Sequence, residues 1–181
     1  LLTRIALVDV ERATYRMDYD YHATAAVVTW SVDQNNIRPL SDLVQSIQRG
    51  SMEASASRKA GIEVFHTTDM LPSMTGRWIG LPQKVPNDGE RRAWASPGDL
   101  LVARVGRNLE TKVLGVHSGG VLLTDCIYRI RMPYNLARQT LAQLSSESGR
   151  AWLASRSSGV GAKHLSMADL LTFPVSLEEC K

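Results

Sequence analysis

Cysteine is scarce: Cys126 and Cys180 are the two in 181 residues. Two cysteines this far apart cannot form the dense disulfide framework of a small secreted domain. Cys126 sits in an apolar run and reads as a buried thiol, which points to a reducing cytoplasm. No apolar run approaches the roughly 20 residues of a membrane helix, so no membrane partner is expected. No signal-peptide pattern opens the chain, which starts Leu1-Leu2-Thr3-Arg4 without Met and reads as a piece of a longer protein. Metal-ligand spacing is missing too. His22, His66, His117 and His164 stand alone, with no H-x3-H, H-E-x-x-H or C-x-x-C frame, and no metal site is expected from them. There is no G-x4-G-K-[ST] loop, no G-x-S-x-G elbow, no glycine-rich nucleotide fingerprint after a strand and no N-P-P-[YF]. These absences argue against a P-loop NTPase, an α/β-hydrolase and a self-contained adenine methyltransferase. No cofactor is expected.

What is present fits a globular protein, with 44% hydrophobic and 22% charged residues. At this length one domain over 1–181 is the expectation. "IALVDV" (5–10) is compatible with a strand. "IRPLSDLVQSIQRG" spaces Leu40, Leu43, Val44 and Ile47 at i, i+3, i+4 and i+7, which predicts an amphipathic helix ended by Gly50. Residues 51–60 read as a loop. "GIEVFHTTDM" opens as a short strand. Three further strands are expected at 99–105, 112–116 and 120–131. Helices follow over "YNLARQTLAQLSS", with Leu136, Thr140, Leu141 and Leu144 inward, and over "GRAWLASRSS". After the glycine-rich "SSGVGAKHLS" a last helix starts at "SMADLL", with Ser166 as N-cap and Asp169 at the capping-box position. "FPVSL" reads as a terminal strand. Without a regular βαβ rhythm the fold class is α+β: a single mixed domain with a twisted, largely antiparallel sheet and short packing helices.

Charge is unevenly placed. The net charge is +3, with a pI near 9.0. Residues 71–112 hold seven basic side chains (Arg77, Lys84, Arg91, Arg92, Arg104, Arg107 and Lys112) against four acidic ones, which equals the whole excess. Such a segment suits a polyanion, most simply nucleic acid, or is a solvated surface. Residues 71–98 show no clear element and carry Pro72, Pro82, Pro86 and Pro97 with Trp78 and Trp94. A connection this long is commonly functional. The two tryptophans can stack on bases or anchor packing. His66, Thr67, Thr68 and Asp69 at a strand end can read base edges or form a turn.

"SPGDLLVARVGRNLETKVL" (96–114) has two readings. Asp99 followed by Glu110-x-Lys112 on neighbouring strands could hold a divalent cation and activate water, as in a metal-dependent nuclease. The same residues could be a plain hairpin that presents Arg104, Arg107 and Lys112 to a ligand. Lys163 and His164 in the glycine loop could touch a phosphate backbone.

The order of these segments resembles the target recognition domain of the specificity (S) subunit of Type I restriction-modification systems. The resemblance runs through "RMDYDYH" (16–22), "PLSDLVQSIQRG" (39–50), "GIEVFHTTDM" (61–70), the G-D-[IL]-L-x-x-R-x-G hairpin within 96–116, "LLTDCIYRIR" (122–131) and the closing region 141–177. It covers roughly residues 14–177. It implies a double-stranded DNA-binding module that reads one half of a split site and has no catalytic residues. Its partners would be a DNA methyltransferase (modification) subunit and a restriction subunit, in the cytoplasm. The hairpin acid and lysine would then not be a nuclease centre. The candidate DNA-binding residues are His66, Thr67, Thr68, Arg77, Trp78, Lys84, Arg91, Arg92, Arg104, Arg107, Lys112, Lys163 and His164. The family follows this domain with a spacer helix and usually a second recognition domain, neither of which is in this sequence. The chain is therefore expected to be half of an S subunit or the recognition segment of a fused methyltransferase.

Overall fold

The computed structural model describes residues 36–51, 63–83 and 93–177. The expected strand at 5–10, the segment 16–22, nearly all of the loop 51–60, Lys84, Arg91, Arg92 and Cys180 lie outside the described residues. Among the described residues the strands are β1 (Ile37–Pro39), β2 (Ser46–Arg49), β3 (Val64–Phe65), β4 (Trp78–Gln83), β5 (Trp94–Ala95), β6 (Leu100–Ala103), β7 (Val105–Gly106), β8 (Val113–Leu123), β9 (Ile127–Arg131), β10 (Lys163–His164) and β11 (Pro174–Ser176). Three α-helices follow the main sheet: α1 (Tyr134–Ser145), α2 (Glu147–Arg156) and α3 (Met167–Leu171). The class is α+β.

Seven strands form the main sheet, in the order β2-β9-β6-β8-β3, with β4 and β5 also on β8. Pairing is antiparallel except for β3 and β4, which run parallel to β8. β6 and β8 make the hairpin expected from the sequence, in register Leu100↔Gly115 and Val102↔Val113. The strands expected at 112–116 and 120–131 divide differently. One eleven-residue strand runs to Leu123, a turn occupies 124–126, and β9 begins at Ile127. Ile127, Tyr128, Arg129 and Ile130 are all buried, so β9 has no solvent face that alternation could reveal.

β8 cannot be straight. Ala103 is paired with Ile127, and its amide donates to Lys112 O at 3.0 Å. The start of β8 and the start of β9 therefore flank one residue. An unbent strand of this length would span about 34 Å. The four-residue step from Leu123 to Ile127 reaches about 14 Å at most. β8 must therefore turn back on itself. The turn falls at 117–119, the stretch of the strand open to solvent, where Gly119 has φ 76°. A Cβ on Gly119 would lie 2.0 Å from Leu81 O of β4, so the bend and the approach of β4 both require glycine.

The helix expected over 37–50 is not formed. β1 pairs with β11, a 3₁₀ turn occupies Leu40–Asp42, and β2 pairs with β9 from Ser46↔Arg131 to Arg49↔Tyr128. Leu40, Leu43 and Val44 share one side because a single turn carries them, and Ile47 joins them from a strand. Pairing with distant strands outweighs local helix propensity here. Gly50 ends no helix. A Cβ there would lie 2.0 Å from Thr124 O, so glycine lets the chain pass beneath the 124–126 turn.

The loop expected at 71–98 contains a 3₁₀ turn at Pro72–Met74, then β4 and β5. The helices lie close to expectation. α1 buries Ala137, Thr140, Leu141 and Leu144, and Ser166 caps α3 by accepting from the Asp169 amide at 2.9 Å. The Asp169 carboxylate accepts from the Ser166 hydroxyl at 2.6 Å. Gln143 on α1 donates to Ser176 O and accepts from its amide at 2.7 and 2.8 Å, which fastens β11 to the helix. Trp152 meets Phe173 edge to face at 5.0 Å.

Replacing Gly119 by Ala should destabilise the fold by about 2–3 kcal/mol, because a left-handed residue gains a Cβ against a backbone carbonyl. The measurement is a urea melt. An unchanged midpoint would mean that the bend lies elsewhere in β8.

Candidate nucleic-acid interface

The return of β8 gathers four loops at one end of the sheet: 66–69, 104–112, 124–126 and 157–165. Main-chain hydrogen bonds hold them together. Thr124 N donates to Phe65 O (3.1 Å), Arg104 N to Cys126 O (2.7 Å) and Leu165 N to Arg104 O (2.9 Å). β7 and β10 pair in the register Lys163↔Gly106 and His164↔Val105. This pairing sets Lys163 and His164 beside Arg104 and Arg107, residues nearly sixty positions away in sequence. Ser158 and His164 exchange two backbone bonds, 2.9 and 2.7 Å, and close the glycine loop into a narrow ribbon. Gly159 and Gly161, with φ 126° and 88°, shape its tip and leave Val160 fully exposed.

The structure sorts the candidate residues. Arg107 and His164 are exposed and Lys163 is half-buried; none of the three makes a side-chain hydrogen bond or ion pair with another described residue. Arg104 is half-buried and spends one guanidinium nitrogen on Asp125 O at 3.1 Å, which aims the rest of the group. Lys112 is committed: its ammonium donates to Thr67 O at 2.8 Å. Thr67 is buried and cannot read a base edge, whereas Thr68 is exposed. His66 Nδ1 lies 2.8 Å from Thr124 Oγ1, and Asp69 accepts from the His66 amide at 2.7 Å, so residues 66–69 form a braced turn.

Trp78 and Arg77 do not join this cluster. Trp78 packs on Gly115, where a Cβ would lie 2.5 Å from the indole, and its ring centroid is 5.1 Å from that of Tyr134. It is a packing residue. Arg77 is exposed at the start of β4, with its carbonyl accepting from Gly115. Trp94 is buried, and its carbonyl accepts from the buried Arg129 at 3.0 Å.

Asp99, Glu110 and Lys112 do not form a metal–water centre. Both Asp99 oxygens accept from Arg131, at 2.8 and 2.9 Å, and Oδ2 also accepts from Ser96 N. Lys112 stands opposite Ala103, four residues and about 13 Å along the hairpin from Asp99. Among the described residues no group of three or more His, Cys, Asp or Glu side chains could hold a metal ion.

The sequence reading missed two contributors, Arg49 and Tyr128, which face each other across β2 and β9. With Arg104, Ser158, His164, Leu165, Ser166, Met167 and Asp169 they line an open pocket of about 500 Å³. Tyr128 closes its floor, with its hydroxyl donating to Leu165 O at 3.1 Å. Burial pushes the Tyr128 hydroxyl pKa up, and the nearby charges of Arg104 and Arg49 pull against that shift. A helical reading of 37–50 hid Arg49. As a strand end beside a close-packed glycine it would have pointed to the loop cluster.

Cys126 is half-buried at the 124–126 turn and not in a strand interior. Burial pushes its thiol pKa up, the Asp125 carboxylate adds to the rise, and Arg104 opposes it.

No family model matches the chain, and no curated protein matches it. The chain is similar in structure to Type I restriction-modification proteins. One is the S subunit of the Type-I system from M. genitalium, at 12% identity and a TM-score of 0.48, covering 81% of this chain and 36% of that one. A second is the HsdS subunit from Thermoanaerobacter tengcongensis, at 17% and 0.44, covering 94% and 40%. A third comes from a study of type I R-M complex assembly and conformational transition, at 18% and 0.47, covering 93% and 43%. The chain spans less than half the length of each.

Lys112→Ala should lower stability by about 1 kcal/mol in a urea melt, through the lost bond to the 66–69 turn. A larger affinity effect with no stability effect would mean that the ammonium is free for a ligand. In a Cys180→Ser background, alkylation of Cys126 should be slower than that of a free cysteine at neutral pH, because less of the thiol is ionised. Its rate–pH inflection should lie above that of a free thiol, and Asp125→Asn should move it down.

Proposed function

We propose that the chain is a sequence-specific, double-stranded DNA-binding module without catalytic activity. It would be the target-recognition part of a restriction-modification specificity subunit, folded as one domain, working without a cofactor in the cytoplasm. A methyltransferase subunit and a restriction subunit would supply the chemistry. The observation that carries the reading is the meeting of Arg104, Arg107, Lys163 and His164 on one face. They come from the two segments of the chain, the G-D-L-L hairpin and the closing glycine loop, that carry much of the family resemblance. Phosphates need cations that are free to approach, and most of these side chains are.

Base reading is assigned to Thr68, exposed at the braced turn, and to Arg77, exposed ahead of β4; Lys84, Arg91 and Arg92, which lie outside the described residues, stay candidates from the sequence alone. The face is mixed in sign, since Asp69, Glu110 and Asp125 share its loops and Asp169 lines the pocket beside it. A mixed face favours contacts at defined phosphates over diffuse attraction, because each carboxylate repels a misplaced one.

Selection from a random duplex library is the direct test. The selected duplex should bind with a slope of log K against log salt of about −3 to −5, as expected for roughly 3–6 neutralised phosphates. Arg107→Ala should weaken selected and scrambled duplexes alike and flatten the slope by about one unit, while Lys112→Ala should leave it unchanged. Arg91→Ala or Arg92→Ala should cost about 1–3 kcal/mol on the selected site alone, if that arginine contacts a base. Failure to bind any duplex at low salt would reject the reading in favour of a protein-interaction module. Divalent-dependent cleavage lost in Asp99→Ala would reject it in favour of a nuclease.

A further inference from the structure

The pocket between β2, β9, β10 and α3 draws on both ends of the described chain, and Arg49 and Tyr128 in it lie outside the residues considered so far for DNA binding. Arg49 ends β2 and is exposed, with no hydrogen bond or ion pair from its guanidinium to another described residue. The backbone beneath it is fixed: Gly50 N donates to Ile127 O at 3.0 Å, and Gly50 has no room for a side chain. Arg104 enters from the end of β6, oriented by its bond to Asp125 O. His164 and the Ser158 hydroxyl come from the ribbon, and neither side chain has a partner among the described residues. One carboxylate, Asp169, also lines the pocket, and its Oδ2 accepts from Ser166. Two guanidiniums, an imidazole and a hydroxyl thus face a space that holds a single acid.

Resting on the DNA-binding reading above, we propose that this pocket seats one phosphate of the bound duplex, held by Arg49 and Arg104 with His164 and Ser158 at the rim. Guanidinium forks suit phosphate oxygens, and a strand-end arginine on a fixed backbone has only its side-chain freedom to lose on binding one. The pocket presents no open phenyl, phenol or indole ring for a base to stack on. Among its lining residues Tyr128 is the one Phe, Trp or Tyr, and its ring is buried with the hydroxyl already bonded. A free nucleotide would therefore gain little beyond its phosphate here, whereas a phosphodiester arrives already positioned by its neighbours on the same face.

The test is a cycle between Arg49→Gln and duplexes in which single phosphates are replaced by neutral methylphosphonates. Arg49→Gln should weaken the selected duplex about tenfold. The penalty should vanish when one particular phosphate is neutralised and persist when others are. Arg49→Lys should recover part of the loss, and circular dichroism should match the parent. An undiminished affinity in Arg49→Gln overturns the proposal, as does a penalty that is the same at every neutralised position. The free chain is also titrated with inorganic phosphate and with a deoxynucleoside 5′-monophosphate. Arg49-dependent binding of either, with duplex binding indifferent to Arg49, assigns the pocket to a free anion and overturns the duplex source. Absence of duplex binding by the unmodified chain sinks the DNA-binding reading itself, a result distinct from binding that ignores Arg49.

Discussion

β8 has to satisfy two demands at once: pair along both edges for eleven residues, and finish near where it began. Its first edge carries β6 and then β5; its second carries β4 and then β3. A straight strand could serve four partners but would leave its ends some 34 Å apart. The short 124–126 connection forbids that separation. Glycine resolves the conflict. Three of the eleven residues are glycines, a composition that ordinarily weakens a strand. Here Gly115 admits the Trp78 indole, Gly119 takes the left-handed bend against β4, and Gly120 leaves room for Trp94. The stability lost in backbone entropy is offset by two tryptophans packed against the strand. The bend then decides where everything else goes, because it returns the 124–126 turn to the side of the hairpin tip.

Charge in the molecule divides into two kinds. Asp99 and Arg131 pair bidentately at the base of the hairpin, and Arg129 lies buried with its guanidinium on Trp94 O and Gln48. These charges lock strands together and are spent within the fold. At the opposite end, Arg49, Arg107 and Lys163 have no hydrogen-bond or ion-pair partner among the described residues, and Arg104 keeps donors in reserve. The basic excess seen between residues 71 and 112 is therefore not one patch. Lys112 and Arg77 leave the cluster, and Arg49 and Lys163 enter it from elsewhere in the chain.

Much of this was legible in the sequence where structure is local. The hairpin followed from Gly98-Asp99 ahead of two apolar runs, and α1 and α3 from periodicity and a serine cap. What depended on distant partners was not legible. Leu40, Leu43, Val44 and Ile47 fit a helical template, yet two pairs of strands claim that segment. Trp78 lay in a stretch without periodicity, because β4 pairs parallel to β8 with two register shifts and shows no clean alternation. Lys112 looked free because its acceptor, Thr67 O, is 45 residues away. The one-dimensional reading of Asp99-Glu110-Lys112 as a cluster failed for a related reason: hairpin register sets the aspartate and the lysine at opposite ends of the paired segment.

The four loops of the candidate face are joined mostly through their backbones. Amide-to-carbonyl bonds tie 65 to 124, 104 to 126 and 165 to 104, and the β7–β10 ladder adds its own. Amides and carbonyls are common to nearly every residue type, so these ties place few demands on which side chains the loops carry. Arg107, Thr68, Val160, Lys163 and His164 are thus structurally interchangeable with other residues, while the glycines and the bend beneath them are not. A scaffold built this way separates heritable architecture from exchangeable content. Its outward chemistry can be rewritten one residue at a time while the same end of the same sheet continues to present it.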